Sequence, residues 1–115
     1  MKPLTRDELK GLLESPDPPA VLDVLPNEYY EESHLPGALH APLDEHFEQH
    51  VQQLVPDHRR PIVVYCMNRQ CTASLQAAEK LDALGYQHVL EYEDGKTDWQ
   101  EAGLPLEKTH LETLP

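Results

Sequence analysis

The sequence predicts a single α/β domain built on a largely parallel sheet. Two observations carry that expectation. Apolar runs of strand length alternate along the chain with amphipathic stretches long enough to serve as crossovers. The central run, Ile62 to Tyr65, is β-branched and aromatic and carries no charge, as suits a strand buried on both faces of a parallel sheet.

Thr5 and Glu8 stand at the spacing of a capping box, followed by Leu9, Leu12 and Leu13 as the buried stripe of a helix ending near Glu14. The proline-rich run from Ser15 to Pro19 stops it. Ala20 to Leu25 has strand length and one acid, Asp23, which is either the polar end of the strand or a functional group. Pro26 to Glu31 reads as a helical turn capped by Asn27, and His34 to His40 as a Pro-Gly turn leading into a brief strand. Leu43 to Leu54 places Phe47, Val51 and Leu54 on one helical face before Pro56. His46 and His50 lie four apart there, a spacing compatible with a metal ion. With no third ligand evident and Glu45 and Glu48 beside them, a solvated face is the expectation, and no metal is assigned.

After Ile62 to Tyr65 a helix runs from Thr72 with Leu75, Ala78, Leu81 and Leu84 as its buried stripe, Glu79, Lys80 and Asp82 in solvent, and Gly85 as its stop. His88 to Tyr92 is a further strand, Glu93-Asp94-Gly95 a turn, and Thr97 to Ala102 a last helix with Trp99 as a core anchor. The polar tail from Leu106 to Pro115 is expected to fray.

Composition narrows the function. The 115 residues are 39% hydrophobic and 26% charged, which suits one soluble domain spanning 1–115. A net charge of −12, with nine scattered Lys and Arg residues, argues against nucleic acid and against an acidic membrane surface as partners. No stretch is apolar for long enough to span a bilayer, and Met1 to Glu8 has no apolar signal core, so a cytoplasmic location is expected. In that reducing setting, two cysteines point to catalysis, redox chemistry or metal binding before a structural staple.

Those cysteines open and close the loop between the central strand and the next helix. A thiol at Cys66 faces a helix N-terminus, where unpaired N–H groups and the dipole favour the thiolate. The same N–H groups form a cradle for an anion. Arg69 inside the cradle would help an anionic donor against the negative net charge; the alternative is that it points to solvent. Cys71 is either a candidate resolving thiol, bridging if the two Cα atoms lie within roughly 7 Å, or a small buried residue starting the helix.

Three stretches together resemble the single-domain rhodanese family of sulfurtransferases, over a span from about Ala20 to Pro105. Leu22-Asp23-Val24, with His34-Leu35-Pro36-Gly37-Ala38 downstream, is similar to the family's N-terminal signature. Ile62-Val63-Val64-Tyr65-Cys66 resembles the strand that delivers the catalytic cysteine. Asp94-Gly95-Lys96-Thr97-Asp98-Trp99, with Ala102-Gly103-Leu104-Pro105, resembles the C-terminal signature. The resemblance implies a rhodanese-like sheet flanked by helices on both faces and a persulfide cycle that needs no cofactor. In it Cys66 takes sulfur from a small anionic donor such as thiosulfate and passes it to cyanide or a thiol, including a protein thiol.

The implied substrate-binding segment is Met67, Asn68, Arg69, Gln70, Cys71 and Thr72, and Asp23, Gly37, Gly95 and Trp99 are implied structural positions. The chain departs from the family at Arg69, where Gly is common, at Cys71, where Arg, Thr or Ser is common, at Leu25 in place of Arg, and at Asp94 in place of Gly. A non-Gly residue at position 69 must accept whatever backbone angles the loop needs. Two other readings are a sulfur-carrying or redox-sensing module that uses the Cys66 and Cys71 pair, and a phosphatase or arsenate reductase. The latter needs Arg six residues after the cysteine, where this chain has Thr72.

Overall fold

The computed structural model describes residues 2–108. In chain order these form β1 (Lys2–Leu4), α1 (Arg6–Leu13), β2 (Ala20–Asp23), α2 (Asn27–Glu32), β3 (Leu39–His40), α3 (Phe47–Leu54), β4 (Ile62–Tyr65), α4 (Ala73–Leu84), β5 (Val89–Tyr92) and α5 (Gly95–Glu101). The strands make one sheet in the order β1-β5-β4-β2-β3, and every pairing is parallel. The uncharged run of β4 lies at the centre, as expected of a strand covered on both faces.

The period of two along the strands assigns the helices to sides. Ile62, Val64 and Cys66 share a core with Ala20, Leu22 and Val24, and it is covered by Phe47 and Val51 of α3 and by Ala77, Ala78 and Leu81 of α4. Val63 and Tyr65 face the other way and pack with Val21, Leu9 of α1 and Trp99 of α5. Each fully buried aliphatic side chain in these layers stabilises the fold by about 1.5–3 kcal/mol. Helices therefore flank the sheet on both faces. Among the described residues no helix is long and apolar enough to cross a membrane.

The capping box forms as the spacing predicts: the Glu8 N–H donates to Thr5 Oγ1 at 3.2 Å and the Thr5 N–H to Glu8 Oε1 at 2.9 Å. Gly85 ends α4 at φ +96°, and Trp99 is a core residue whose Nε1 donates to the Pro105 carbonyl.

Other expectations need correction. The short strand β1 was not anticipated; it adds to the sheet edge by pairing with β5. Asn27 does not cap α2; it is the first helical residue, and Pro26 holds the cap position without a side-chain bond. Helix α3 begins at Phe47 instead of Leu43, because the backbone before it is committed elsewhere. The Ala41 and Leu43 N–H groups donate to the carbonyls of Asp23 and Val24, and the His46 N–H donates to Asp44 Oδ1.

The buried face of α4 is also rotated from the expected one. Ser74, Ala77, Ala78 and Leu81 are buried, and Leu75 is exposed. Small residues let the helix lie close on the sheet, and Ser74 Oγ finds a buried partner by donating to Glu91 Oε2 of β5 at 2.8 Å. The tail does not fray from Leu106: Leu106 packs on the second core, and Glu107 exchanges two backbone hydrogen bonds with His34, at 2.8 and 2.9 Å. Residues 109–115 of the expected tail lie outside the described residues.

Candidate active site

Cys66 follows the last residue of β4, at the carboxyl end of the sheet, where ligands bind in open parallel α/β folds. The loop beyond it is held from behind by the start of α5. The Lys96 N–H donates to the Cys66 carbonyl at 3.0 Å and the Thr97 N–H to the Met67 carbonyl at 2.9 Å. Such close approach requires a residue without a side chain, and Gly95 at φ +75° supplies it: a Cβ there would sit 2.7 Å from the Met67 carbonyl carbon and oxygen. Asn68 shapes the remainder, its carbonyl accepting from the Cys71 N–H and its Oδ1 from the Gln70 N–H at 3.1 Å. With those carbonyls tied off, the backbone N–H groups of Met67, Asn68 and Arg69 make no hydrogen bond to another described residue.

Cys66 and Cys71 are joined by a disulfide, with their Cα atoms 6.3 Å apart. The bridging alternative for Cys71 is therefore the one observed. The two cysteines are unequally covered. Cys66 is 1% exposed, whereas Cys71 is half-buried and lines an open cavity of about 210 Å³ with Arg69, Thr72, Leu75, Glu91 and Glu93.

Arg69 does not lie inside the loop. Its guanidinium is exposed and pairs with Asp94, and with Glu93 at 3.8 Å, so the solvent-facing alternative holds. These carboxylates raise the affinity of the guanidinium for its proton further, the Asp94 hydrogen bond first. No described non-glycine residue has a positive φ, so Arg69 sits in the loop without left-handed strain. The missing glycines at positions 69 and 94 are answered by one ion pair between their replacements.

A second recess, of about 420 Å³, lies on the Met67 side and is lined by Lys96, Lys108, Glu32, Ser33, Gln100 and Leu106 as well. Its formal balance is two lysines against one glutamate, the reverse of the cavity beside Cys71. Thr72 caps no backbone group; its hydroxyl accepts from Gln76 Nε2 at 3.1 Å.

Asp23 is fully buried, so it is no polar strand end. Its Oδ1 accepts from the Leu25 N–H at 2.9 Å and its Oδ2 from the Tyr65 hydroxyl at 2.8 Å, while that hydroxyl oxygen accepts from the Leu35 N–H at 3.0 Å. Burial pushes the carboxyl above its usual range, against the pull of these hydrogen bonds and of the nearby positive potential of Lys96 and His40. Lys96 is itself buried and donates to the carbonyls of Tyr29 and Ser33 at 3.0 and 2.8 Å. Desolvation lowers its proton affinity, with Asp23 and Glu32 opposing. Lys96 thus supplies the positive charge that Leu25 does not, from the helix that also holds the loop. Gly37, at φ +74°, donates its N–H to Glu107 Oε1, so that signature position pins the segment at Glu107.

Tyr65, Ser74, Glu91 and Lys96 are the residues that sequence reasoning missed here. The only signal for Lys96 is its place beside Gly95 in the C-terminal signature; Tyr65 and Ser74 read as ordinary strand and helix residues. No group of three or more metal-ligating side chains occurs among the described residues, and His46 and His50 stand with ring centres 6.4 Å apart.

The family model described as "Rhodanese-like domain" matches residues 5–102. An HTH-type transcriptional regulator of Mycobacterium tuberculosis is 33% identical over 105 residues, covering 91% of this chain and 44% of that protein. The thiosulfate sulfurtransferase PspE of Escherichia coli is 39% identical over 69 residues, covering 59% of this chain and 62% of its own length. The chain thus spans roughly half the length of the curated relatives it matches. A crystal structure of a thiosulfate sulfurtransferase from Pseudomonas aeruginosa superposes with a TM-score of 0.81 at 28% identity, covering 94% of this chain and 20% of that one.

Proposed function

Because the chain belongs to the rhodanese-like domain family, we propose that it is a sulfurtransferase that moves sulfane sulfur from thiosulfate or a persulfide donor through a persulfide on Cys66. The Cys66 thiolate attacks the outer sulfur of thiosulfate, and the sulfur–sulfur bond of the donor breaks as sulfite leaves with the electron pair. The Cys66 persulfide then yields its outer sulfur to cyanide or to a thiol, including a protein thiol, and the thiolate returns.

One observation carries this reading. The carbonyls of Cys66 and Met67 are bound by α5, and the N–H groups of Met67, Asn68 and Arg69, the three residues after the cysteine, make no hydrogen bond to another described residue. Such groups stabilise an anionic donor and the charge that develops on its departing part. Gln70, Cys71 and Thr72 complete the loop, and the names of the two related thiosulfate sulfurtransferases favour thiosulfate as donor. The reaction requires the open dithiol, which a reducing cytoplasmic setting would maintain.

The test is intact-mass spectrometry of Cys71→Ser, which cannot close the bridge, reduced with dithiothreitol, desalted and incubated with thiosulfate. A gain of one sulfur atom that disappears when Cys66→Ser is added is expected. Equal gain in the double variant would remove Cys66 from the role. The Cys66–Cys71 bond favours a second reading, a redox-sensing module, in which mild oxidation of the reduced wild-type chain removes two hydrogens and thiosulfate adds nothing to Cys71→Ser.

A further inference from the structure

The disulfide holds information beyond the masking of a nucleophile, because it shows that the loop lets Cys71 Sγ reach Cys66 Sγ without leaving its place at the head of α4. We propose that Cys71 discharges the Cys66 persulfide internally, so that the chain releases sulfide and becomes a disulfide that an external dithiol must reopen. The inference rests on the persulfide reading above and extends it to a sulfane-sulfur reductase activity.

The step balances. The Cys71 thiolate attacks Cys66 Sγ, the inner sulfur of the persulfide. A bond forms between the two Sγ atoms, the bond from Cys66 Sγ to the outer sulfur breaks, and the electron pair leaves with the outer sulfur as hydrosulfide. The Cys71 proton goes to solvent. The sulfane sulfur is reduced to sulfide while two cysteines are oxidised to the observed bond. A dithiol then supplies two electrons and departs as its own disulfide.

Geometry favours the internal route over a dissolved acceptor. A thiol already in bonding reach acts at an effective concentration that free thiols cannot match. The Cα separation of 6.3 Å falls within the range of roughly 4.4–6.8 Å that disulfides adopt without backbone movement.

The uneven burial sets the direction of reopening. Cys66 is sealed, so an incoming dithiol meets Cys71 from the cavity of about 210 Å³, and Cys66 departs as the thiolate. Thiolate departure is fastest from a sulfur whose negative charge is stabilised, as at a loop that presents free N–H groups. Glu91 and Glu93 line that cavity against the single, already paired Arg69, which suits a dithiol without negative charge beside its sulfurs and disfavours the anionic donor there.

The experiment is a single turnover without added thiol. Reduced, desalted wild type and Cys71→Ser each receive one equivalent of thiosulfate, and sulfide and intact mass are followed together. Wild type is expected to release one sulfide per chain and finish two hydrogens lighter than the reduced chain, whereas Cys71→Ser stops one sulfur heavier with no sulfide. Wild type that keeps the added sulfur, or Cys71→Ser that releases sulfide as fast as wild type, would overturn the proposal. Failure of both proteins to gain sulfur or release sulfide would instead overturn the persulfide reading on which it rests. For reopening, the oxidised protein is treated briefly with 2-mercaptoethanol, quenched in acid and mapped. The adduct is expected on Cys71, and an adduct confined to Cys66 would overturn the assigned direction.

Discussion

Gly95 stands directly against Met67: a Cβ at position 95 would meet the Met67 carbonyl carbon and oxygen at 2.7 Å and the Asn68 nitrogen at 2.8 Å. These are backbone atoms of the candidate loop and cannot swing aside as a side chain would. Gly95→Ala should therefore move the loop as well as carry the left-handed backbone cost of about 1–2 kcal/mol. Sulfur transfer is expected to fall by about a hundredfold for a displacement near 1 Å. Gly103→Ala is the control, with φ +78° but nothing within 4 Å of the added carbon. It should lose similar stability in urea denaturation yet keep transfer. Matching activity losses in the two variants would refute a positioning role for Gly95.

Asp23→Asn removes one of two acceptors that are both in use. Asp23 Oδ1 takes the Leu25 N–H and Oδ2 takes the Tyr65 hydroxyl, whose oxygen already accepts from Leu35. An amide offers one oxygen, so one buried donor loses its partner, at a cost of about 1–3 kcal/mol. Chemical denaturation at neutral pH measures it, and an unchanged midpoint would mean that the network is dispensable.

The same pair of proteins should separate further in acid. Burial raises the folded-state pKa of Asp23 above its ordinary value, so between those two values the folded chain binds the proton more tightly than the unfolded chain. Its contribution to stability is fully present below the unfolded pKa and is lost as pH rises through the folded one. Wild type should thus gain stability relative to Asp23→Asn as pH falls from neutral towards about 4. Denaturation curves of both proteins at several pH values give the difference directly, and a constant or shrinking gap would contradict the raised pKa.

Arg69 and Asp94 form an exposed pair beside the loop, so their effect should appear in donor capture more than in turnover. Arg69→Ala is expected to raise KM for thiosulfate by roughly twofold to fivefold with kcat nearly constant, and Asp94→Asn to shift KM the other way. Both shifts should shrink in high salt. If neither variant moves KM, the backbone N–H groups alone hold the donor.

Much of this arrangement is legible from the chain itself, for identifiable reasons. The strand Ile62–Tyr65, the capping box of Thr5 and Glu8 and the stop at Gly85 depend on local pattern, which a sequence displays. Lys2–Leu4 was missed because three residues including a proline carry no strand periodicity; their structure comes from pairing with β5. The face of α4 was misjudged because Leu75 outranks Ser74 in hydrophobicity, and only the fold brings Glu91 within reach of the Ser74 hydroxyl. At the site, Cys66 and its loop follow from strand-then-helix order. The anchoring of Lys96 to Tyr29 and Ser33, and the removal of Arg69 to Asp94, arise from contacts more than twenty residues apart along the chain, which no local pattern records.

A parallel sheet gives a molecule two unlike poles, and Lys2 and Lys108 stand at different ones. Lys2 shares a surface recess with Pro61 and His88, just ahead of β4 and β5, at the pole opposite Cys66. The bridge between Glu107 and His34 instead brings Lys108 to the recess that Met67 borders. A fluorophore attached to the Lys2 side chain would therefore ride at a distance from the cysteines, whereas one attached to the Lys108 side chain would stand at the recess that Met67, the neighbour of Cys66, borders.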